Sequence, residues 1–338
     1  MIFSQQPHTV ECSSFIEVNE GSTYLIENVC FDPSSIGPEC ASRKRSRARK
    51  PHGVLKSDWN KRYTMFSKFD MGIMMDKEAW FEVTPENVAR YVSLRLGEPR
   101  LVVDCFSGVG GNTIQFSHRH KSVTAVDSSS DRILMAKSNC KVYNAISNVE
   151  FVQADARSFL ESIMPSNKTC VYASPPWGGK ECYQLERLTL DAFPVDLKQV
   201  IKTALVRVDS VVLHLPRNMD LDDLSRFLKT IGIDYFEVER ICYTDPELHV
   251  KCLLVFIDRS ITDRDSVLTL GRQSRLESIA SLLGTSVSAE ILSRSLIHVS
   301  YLYRYMRSSL RGYNPDLMVG VYRISVPDKR EILSSLFS

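Results

Sequence analysis

The run Asp104-Cys105-Phe106-Ser107-Gly108-Val109-Gly110-Gly111-Asn112-Thr113 decides the fold of this chain of 338 residues. It follows the short apolar segment Leu101 to Asp104, and a segment with helical character begins at Asn112. Glycines between a strand and a helix permit a sharp turn and let a ligand approach the backbone amides closely. The run therefore predicts a ligand-binding loop at the start of an α/β unit.

Strand and helix signals alternate through the region that follows this loop. The predicted strands, seven in all, are Leu101 to Asp104, Ser122 to Asp127, Val149 to Val152, Cys170 to Ala173, Val208 to Leu215, Tyr235 to Ile241 and Lys251 to Ile257. The predicted helices run from Asn112, from Asp131 to Tyr143, from Arg157 to Ile163 and near Leu221 to Ile231. This alternation predicts an α/β fold with a seven-stranded, mostly parallel sheet covered on both faces, whose last two strands pair as an antiparallel hairpin.

Carboxylates follow the first three predicted strands, at Asp104, Asp127 and Asp155. Thr113 stands where a dinucleotide-binding loop has its third glycine, and Asp104 would repel a pyrophosphate. A cofactor with an amino acid and a sulfonium suits these charges better. Asp104 would orient its ammonium group, Asp127 would accept from both ribose hydroxyls, and Asp155 would accept from the adenine amine. The three carboxylates together predict a site for S-adenosylmethionine.

Two of these carboxylates also have a purely structural interpretation. Asp127 can cap the helix that begins near Asp131, although a serine in residues 128–130 can take that role. Asp155 can cap the next helix, because aspartate side chains accept hydrogen bonds from the free amides of a first helical turn. The sequence leaves both alternatives open.

A second chemical motif, Ser174-Pro175-Pro176-Trp177-Gly178-Gly179, follows the predicted strand Cys170 to Ala173. Methylation of a nucleobase amine needs a flat apolar surface, hydrogen-bond acceptors in the plane of the base and a rigid backbone. The prolines fix φ and leave carbonyls free to accept, the serine hydroxyl adds a polar contact, and Trp177 can stack on the base. The simpler alternative is a tight turn that carries a core tryptophan.

The composition is that of a globular protein, with 43% hydrophobic residues and a net charge of +2. Residues 43–50 are almost wholly basic, which is typical of a nuclear localisation signal, a phosphate-binding arm or a solvated linker. The nine cysteines form no Cys-x-x-Cys pair and have no histidine at zinc spacing, so we expect a reducing compartment and no metal. No signal peptide or membrane span is expected, which predicts an intracellular protein without membrane contact.

Dense motifs in a fixed order resemble the trimethylguanosine synthase family, whose members methylate the exocyclic N2 of 7-methylguanosine RNA caps. The resemblance runs from about Trp59 to Ile257. It rests on Phe66 to Ile73, Trp80 to Glu86, Val103 to Phe116, Ser174 to Gly179 and Leu215 to Asn218. It implies a class I, Rossmann-like methyltransferase that uses S-adenosylmethionine and acts on 7-methylguanosine-capped RNA.

The resemblance also implies roles for single residues. Catalytic positions are Ser174, Pro175 and Trp177, with Trp177 stacking on the methylated guanine and the other two positioning N2. The implied cofactor site comprises Thr84, Asp104, Gly108, Gly110, Asn112, Asp127 and Asp155. Contacts to the cap are implied for Lys56, Trp177, Tyr183, Arg217 and Lys251. The family has its tyrosine one place earlier than Tyr183.

The domain organisation follows from changes in sequence texture. Residues 1–58 are predicted to be largely disordered and basic, with Phe15 to Val18 and Tyr24 to Ile26 as candidate short strands. Residues 59–97 form a helical N-terminal extension that contributes to the cap and cofactor sites, residues 98–259 the methyltransferase domain, and residues 260–338 an appended C-terminal extension of unknown role.

Finer signals within these regions lead to further predictions. In the N-terminal extension, an amphipathic helix is predicted from the spacing of Trp59, Tyr63, Phe66 and Phe69, and Thr84 is predicted to cap a helix that starts at Pro85 and ends near Leu96. The C-terminal extension has helical periodicity at Ile279 to Leu283 and Ile291 to Tyr305 and a strand-like segment at Met318 to Ile324.

Two other functions compete with cap N2 methylation. Ser-Pro-Pro-aromatic motifs also occur in enzymes that methylate amines on other RNA bases, such as adenine N6. A non-catalytic cap-binding module is the other alternative, with an extension that recruits a ribonucleoprotein partner. We expect a monomer in the nucleus, in the nucleolus or a Cajal-body-like compartment, with the cytoplasm as the alternative location.

Overall fold

The computed structural model describes residues 10–19, 22–31, 50–97, 100–243, 249–262 and 323–324. The strands in this part of the chain are β1 (Val10–Asn19), β2 (Ser22–Phe31), β3 (Leu101–Asp104), β4 (Ser122–Asp127), β5 (Val149–Gln153), β6 (Ser166–Ala173), β7 (Val208–Pro216), β8 (Tyr235–Tyr243), β9 (His249–Asp258) and β10 (Arg323–Ile324). The α-helices are α1 (Lys56–Asn60), α2 (Arg62–Met65), α3 (Ala79–Glu82), α4 (Glu86–Arg95), α5 (Gly111–Ser117), α6 (Ser130–Val142), α7 (Ala156–Ser162), α8 (Leu197–Arg207) and α9 (Leu221–Thr230).

All of these strands join one sheet in the order β10-β1-β2-β8-β9-β7-β6-β3-β4-β5. From β8 to β5 the strands are parallel except β9, which runs antiparallel to both β7 and β8. This confirms the predicted seven-stranded, mostly parallel sheet and its terminal hairpin. The chain order reverses between β3 and β6, and in open α/β sheets such a reversal leaves a crevice at the carboxyl ends of the strands.

Two hydrophobic clusters cover the two faces of the sheet. Successive strand residues point to opposite faces, so Val171 packs with α7, α8 and α9, whereas Cys170 and Tyr172 pack with α4 and α5. A third cluster around Phe66 and Ile114 joins the N-terminal extension to α5 and α6. The extension is therefore packed into the methyltransferase core and contributes to the walls of the crevice.

The predicted amphipathic helix of the extension is wrong in detail. The chain forms two short helices, α1 and α2, and a 3₁₀ turn at Phe69–Met71 instead of one continuous helix. The turns bring Trp59, Phe69 and Trp80 together, with ring centroids 5.6–5.9 Å apart. The aromatic spacing marked packing residues, as predicted, but the rings meet around turns.

The prediction that Thr84 caps the next helix is also wrong. The N-cap residue of α4 is Pro85, and no side chain caps this helix. The Thr84 hydroxyl instead accepts a hydrogen bond from Asn112 Nδ2 at 3.0 Å. The helix α8, which crosses from β6 to β7, was not predicted.

Residues 10–19 and 22–31 form the strands β1 and β2 in a region that the sequence predicted to be largely disordered. The candidate short strands there, Phe15 to Val18 and Tyr24 to Ile26, lie inside them. β2 pairs in parallel with β8, and β1 pairs with β10, which covers the end of the predicted strand-like segment Met318 to Ile324. The predicted C-terminal helices and residues 43–49 of the basic run lie outside the described residues.

The described helices include none that is long and apolar enough to cross a membrane. The predicted domain boundaries at residues 58, 97 and 259 stay predictions.

Candidate active site

A cleft opens at the carboxyl ends of β3, β4 and β6, where the strand order reverses. Of the predicted site residues, eight line it: Thr84, Gly108, Asn112, Asp127, Asp155, Ser174, Pro175 and Trp177. They come from the segment before α4, from the glycine loop after β3, from the ends of β4 and β5, and from the loop after β6. The fold thus brings the two sequence motifs to one site.

The glycine loop is held in place by its own backbone. Gly110 has φ 91°, and a Cβ at this position would lie 3.1 Å from the Cα of Ala136 in α6. Only glycine fits this close packing of loop and helix. The neighbouring Gly108 lines the cleft, and its amide donates to Asp127 Oδ2 at 2.9 Å. Gly110 therefore shapes the loop, while Gly108 and Asp127 form part of the cleft wall.

Asp104 lies beneath the glycine loop and not on the cleft wall. Its side chain is fully buried, and Oδ2 accepts from the Thr113 hydroxyl at 2.6 Å. Burial raises the pKa of Asp104 to about 7. Oδ1 is buried and has no hydrogen-bond partner among the described residues. An ammonium group placed nearby, directly or through water, would supply the missing charge and hydrogen bond.

Asp127 and Asp155 both line the cleft and both hold backbone. Asp127 Oδ1 accepts from the amide of Ser129, and Ser129 is the residue that caps α6. Asp155 Oδ1 accepts from the amide and the hydroxyl of Ser158 at the start of α7. The helix-cap interpretation is therefore correct for Asp155, and its cleft position leaves the cofactor role as a prediction.

Unpartnered polar atoms around the loop provide a test of whether S-adenosylmethionine fits. Besides Asp104 Oδ1, the buried atoms Ser107 Oγ and Asn112 Oδ1 have no partner within the described part of the chain. Buried polar groups without partners are rare and call for a ligand or water. Two acceptors and a hydroxyl within and beneath the glycine loop match the ammonium group and the hydroxyls of this cofactor, so the residues present fit it.

The opposite wall of the cleft is the Ser-Pro-Pro-Trp loop. Trp177 is half-buried, and its Nε1 donates to the backbone carbonyl of His214 at 3.2 Å. Its ring lies edge-on to the rings of His214 and Tyr183, at 5.4 and 6.4 Å between centroids. Phe81, which also lines the cleft, lies 6.1 Å from the Tyr183 ring. The indole is thus held by its edge in an aromatic wall.

His214 on β7 was not predicted as a site residue, yet it meets both walls. Its Nδ1 lies 2.9 Å from the Tyr172 hydroxyl, 3.3 Å from Thr84 Oγ1 and 3.4 Å from Ser174 Oγ. Burial, together with the positive charge of Lys251, lowers the pKa of His214 to about 3. The ring is therefore neutral at physiological pH and too weak a base to take a proton from a substrate. The only sequence signal was a lone histidine in an apolar strand.

A group of cations lies beside Trp177 on its Tyr183 side. Arg217 places its guanidinium carbon 4.5 Å from the centre of the Tyr183 ring. Burial and the neighbouring charges of Lys61 and Arg217 lower the pKa of Lys251. The structure thus brings Tyr183, Arg217 and Lys251 together outside the cleft. Lys61, which was not in the predicted contact set, is the nearby helix-region lysine whose charge acts on Lys251. The cap contact of Lys56 stays a prediction.

Fold and cleft together define a Rossmann-like methyltransferase that uses S-adenosylmethionine. The family model described as RNA cap guanine-N2 methyltransferase matches residues 99–260. The trimethylguanosine synthase of Schizosaccharomyces pombe is 37% identical over 185 residues, which cover 52% of this chain and 75% of that protein. The chain belongs to the RNA cap guanine-N2 methyltransferase family.

The chain is also similar to a second sequence relative and to one solved structure. The trimethylguanosine synthase of Saccharomyces cerevisiae is 31% identical over 189 residues, which cover 53% of this chain and 60% of that protein. A solved precorrin-6y C5,15-methyltransferase from Geobacter metallireducens is 19% identical with a TM-score of 0.39, covering 56% of this chain and 94% of that one. The sequence relatives place the chain in its family, and the solved precorrin-6y methyltransferase has no part in that assignment.

Proposed function

We propose that this protein transfers methyl groups from S-adenosylmethionine to the exocyclic N2 of the 7-methylguanosine cap of RNA. The observation that carries the proposal is that Ser174, Pro175 and Trp177 line the same cleft as Gly108 and Asp127. A base on the first set and a cofactor on the second share one enclosed space. The name of the fungal relatives supports the same reaction.

Recognition of the cap rests on Trp177. Stacking of a base on an aromatic side chain contributes about 1–3 kcal/mol, and a cationic base adds a cation–π attraction of about 0.5–2 kcal/mol. Methylation at N7 makes the guanine cationic, so Trp177 favours the 7-methylated cap over plain guanosine. The cations beside Tyr183 favour the triphosphate bridge of the cap.

The chemistry that these residues perform is mainly alignment. S-adenosylmethionine supplies an electrophilic methyl group. Ser174 and the Pro175 carbonyl hold the amine, and Trp177 fixes the plane of the base, so that N2 is in line for displacement. His214 is neutral and weakly basic. The proton therefore leaves N2 to solvent after alkylation has made the nitrogen acidic, and no strong base is needed.

The biological setting is part of the same proposal. The products are 2,2,7-trimethylguanosine or 2,7-dimethylguanosine caps on transcripts of the snRNA and snoRNA type. The enzyme acts as a monomer in the nucleus, and one of its extensions recruits a ribonucleoprotein partner. Replacement of the basic residues in 43–50 by alanine in a fluorescent fusion tests the location: the variant accumulates in the cytoplasm if this run is the nuclear signal.

Methyl transfer to two RNAs in parallel tests the proposed reaction. One RNA carries a 7-methylguanosine cap and the other a plain guanosine cap, and mass analysis of the released cap counts the methyl groups. We expect one or two added methyl groups on the first RNA and none on the second. Methylation at an internal base would instead support the adenine-type alternative, and no transfer to either RNA would support a non-catalytic cap-binding module.

A further inference from the structure

The phosphate side of the proposed cap site depends on two side chains from different loops. Tyr183 lies in a 3₁₀ turn, Gly179–Gln184, that follows the Trp177 loop. Arg217 lies just after β7, is exposed, and covers the Tyr183 ring at 4.5 Å. Two loops of this kind need a physical link if they are to present a phosphate site with a fixed geometry.

Asn218 provides that link. Its Nδ2 donates to the carbonyl oxygens of Cys182 and Leu185, each at 2.8 Å. These carbonyls stand on either side of Tyr183 in the chain, and Asn218 itself follows Arg217 directly. One amide group therefore ties the loop of Tyr183 to the loop of Arg217 at the point where their side chains meet.

The main chain extends the same connection away from Tyr183. The Leu188 amide donates to the Asn218 carbonyl at 2.8 Å, and the Asp220 amide donates to the Leu188 carbonyl at 2.8 Å. Further along, the Leu190 amide donates to Asp223 Oδ2 at 2.8 Å. Among the contacts in this series, those of the Asn218 side chain therefore lie nearest to Tyr183 and Arg217.

The orientation of the Asn218 amide is dictated by its partners. Both amide hydrogens face carbonyl oxygens, and exchanging nitrogen and oxygen would place an acceptor against two acceptors. Oδ1 is buried without a partner among the described residues, so this group is ordered by its two donated bonds alone. Aspartate, which has the same size, would offer only acceptors and a negative charge at this position.

We propose that Asn218 is a positioning residue that holds Tyr183 and Arg217 in place to receive the phosphates of the cap. The inference rests on the proposed function, because it assigns those two residues to the cap triphosphate. In the proposed complex, Asn218 itself contacts neither the base nor the cofactor. Its effect is confined to ligands that carry phosphates.

Binding of two ligands to the full chain tests this role. Calorimetry compares 7-methylguanosine triphosphate with the nucleoside 7-methylguanosine, which lacks phosphates. We expect Asn218→Ala to weaken binding of the triphosphate about tenfold and to leave binding of the nucleoside within about twofold, because only the first ligand uses the positioned cations. The loss is no larger than that of Arg217→Ala, and the double variant loses less than the sum of the two.

Asp223→Ala is the matched control, since it removes a contact in the same series at Leu190, away from Tyr183. It leaves the affinity for both ligands unchanged. Asn218→Ser, which keeps one donor, gives a smaller loss with the same dependence on phosphate and serves if Asn218→Ala does not fold. Equal losses for both ligands, or no loss for either, overturn the role of Asn218.

The same measurements separate this inference from the proposed function. Wild-type preference for 7-methylguanosine triphosphate over GTP tests the proposed cap recognition. The phosphate dependence of the Asn218→Ala loss, measured with either nucleotide, tests the positioning role. A wild type that binds both nucleotides equally would contradict cap recognition. The positioning role of Asn218 would still be decided by whether the Asn218→Ala loss depends on the phosphates of the ligand.

Discussion

Trp177 is the residue on which cap recognition depends most. Trp177→Ala removes the stacking surface, so we expect the affinity for 7-methylguanosine triphosphate to fall by about 10- to 100-fold, the equivalent of roughly 1–3 kcal/mol. Affinity for S-adenosylhomocysteine stays within about twofold, because the cofactor wall is unchanged. Calorimetry with each ligand measures both. Trp177→Phe keeps a stacking face and is the control.

Asp127→Ala is expected to have the reverse effect, with loss of cofactor binding and retained cap binding. Its carboxylate accepts from the Gly108 amide, so the variant also loosens the glycine loop. Equal loss of both ligands in either variant would contradict the division of the cleft into two walls.

Tyr172 and His214 form a buried pair whose energetics can be measured directly. Phenylalanine at either position removes one partner and leaves the other buried with a weaker set of contacts, at a cost of roughly 1–3 kcal/mol in the free energy of unfolding. The double variant Tyr172→Phe with His214→Phe removes both polar groups and should cost less than the sum of the singles. Chemical denaturation of the four proteins gives the coupling, and additive losses would show that the 2.9 Å contact contributes nothing.

The site residues differ in how well the sequence predicted them. Ser174, Pro175 and Trp177 sit in a motif whose rigidity and chemistry are local, so their joint position in the cleft was predictable. His214 was not, because its importance comes from hydroxyls on three distant segments that only the folded chain brings together. Thr84 was predicted both to lie at the site and to cap α4. The second prediction was wrong, because a threonine that caps a helix and one that accepts a hydrogen bond from a distant residue look alike in sequence.

At the scale of elements, a buried ion cluster joins α4 to β8. Arg95 donates to Glu239 Oε1 at 2.7 Å and to Glu237 Oε2 at 2.8 Å, and all three side chains are buried. The Tyr91 hydroxyl also donates to Glu239, and Phe256 lies under the guanidinium. This cluster fixes α4, the helix that follows Thr84, against β8.

Removal of the arginine should expose the cost of burying two carboxylates. Burial raises the pKa of Glu237 to about 7 even with Arg95 present. A carboxyl group with a raised pKa in the folded state stabilises it at low pH, and that stability is lost as the pH rises through about 7. The charge of Arg95 lowers the pKa of Glu237, so Arg95→Ala raises this pKa further. The free energy of unfolding should therefore fall by roughly 3–5 kcal/mol at pH 8, where the carboxyl group must ionise without its partner, and by less at pH 5.5, where it stays protonated.

Denaturant unfolding of the wild type and Arg95→Ala at the two pH values measures this difference. Arg90→Ala, an exposed arginine on the same helix, is the control and should change stability by less than about 0.5 kcal/mol at both. A deficit of Arg95→Ala that grows as the pH falls would contradict the role of the buried carboxylates.

Element prediction succeeded where local pattern and tertiary structure agree. The strands of the parallel core are short, apolar and regularly spaced, so each was found within a few residues. The helix α8 (Leu197–Arg207) was not predicted, although its buried residues recur at helical spacing. The spacing of the N-terminal aromatics predicts one helix. Turns that bring aromatic rings together produce no spacing that distinguishes them from a helix.

For the whole molecule, the sheet extends beyond the methyltransferase core. β2 adds to β8 in parallel, and β1 and β10 follow it, so segments from both ends of the described chain meet at one edge. Sequence could not predict this pairing, because contacts between distant segments leave no local signal. The opposite half of the sheet, from β3 to β7, holds the cleft, which keeps the site apart from this extension.

In the proposed reaction, one cleft holds the methyl donor against the glycine loop and the cap base against Trp177. The most direct test is a crystal structure of the full chain with S-adenosylhomocysteine and 7-methylguanosine triphosphate. We expect the guanine ring to stack on Trp177, its N2 to lie within hydrogen-bond distance of Ser174 Oγ or the Pro175 carbonyl, and the ribose of S-adenosylhomocysteine to lie on Asp127. A guanine ring bound outside the cleft, or a cofactor away from the glycine loop, would contradict it.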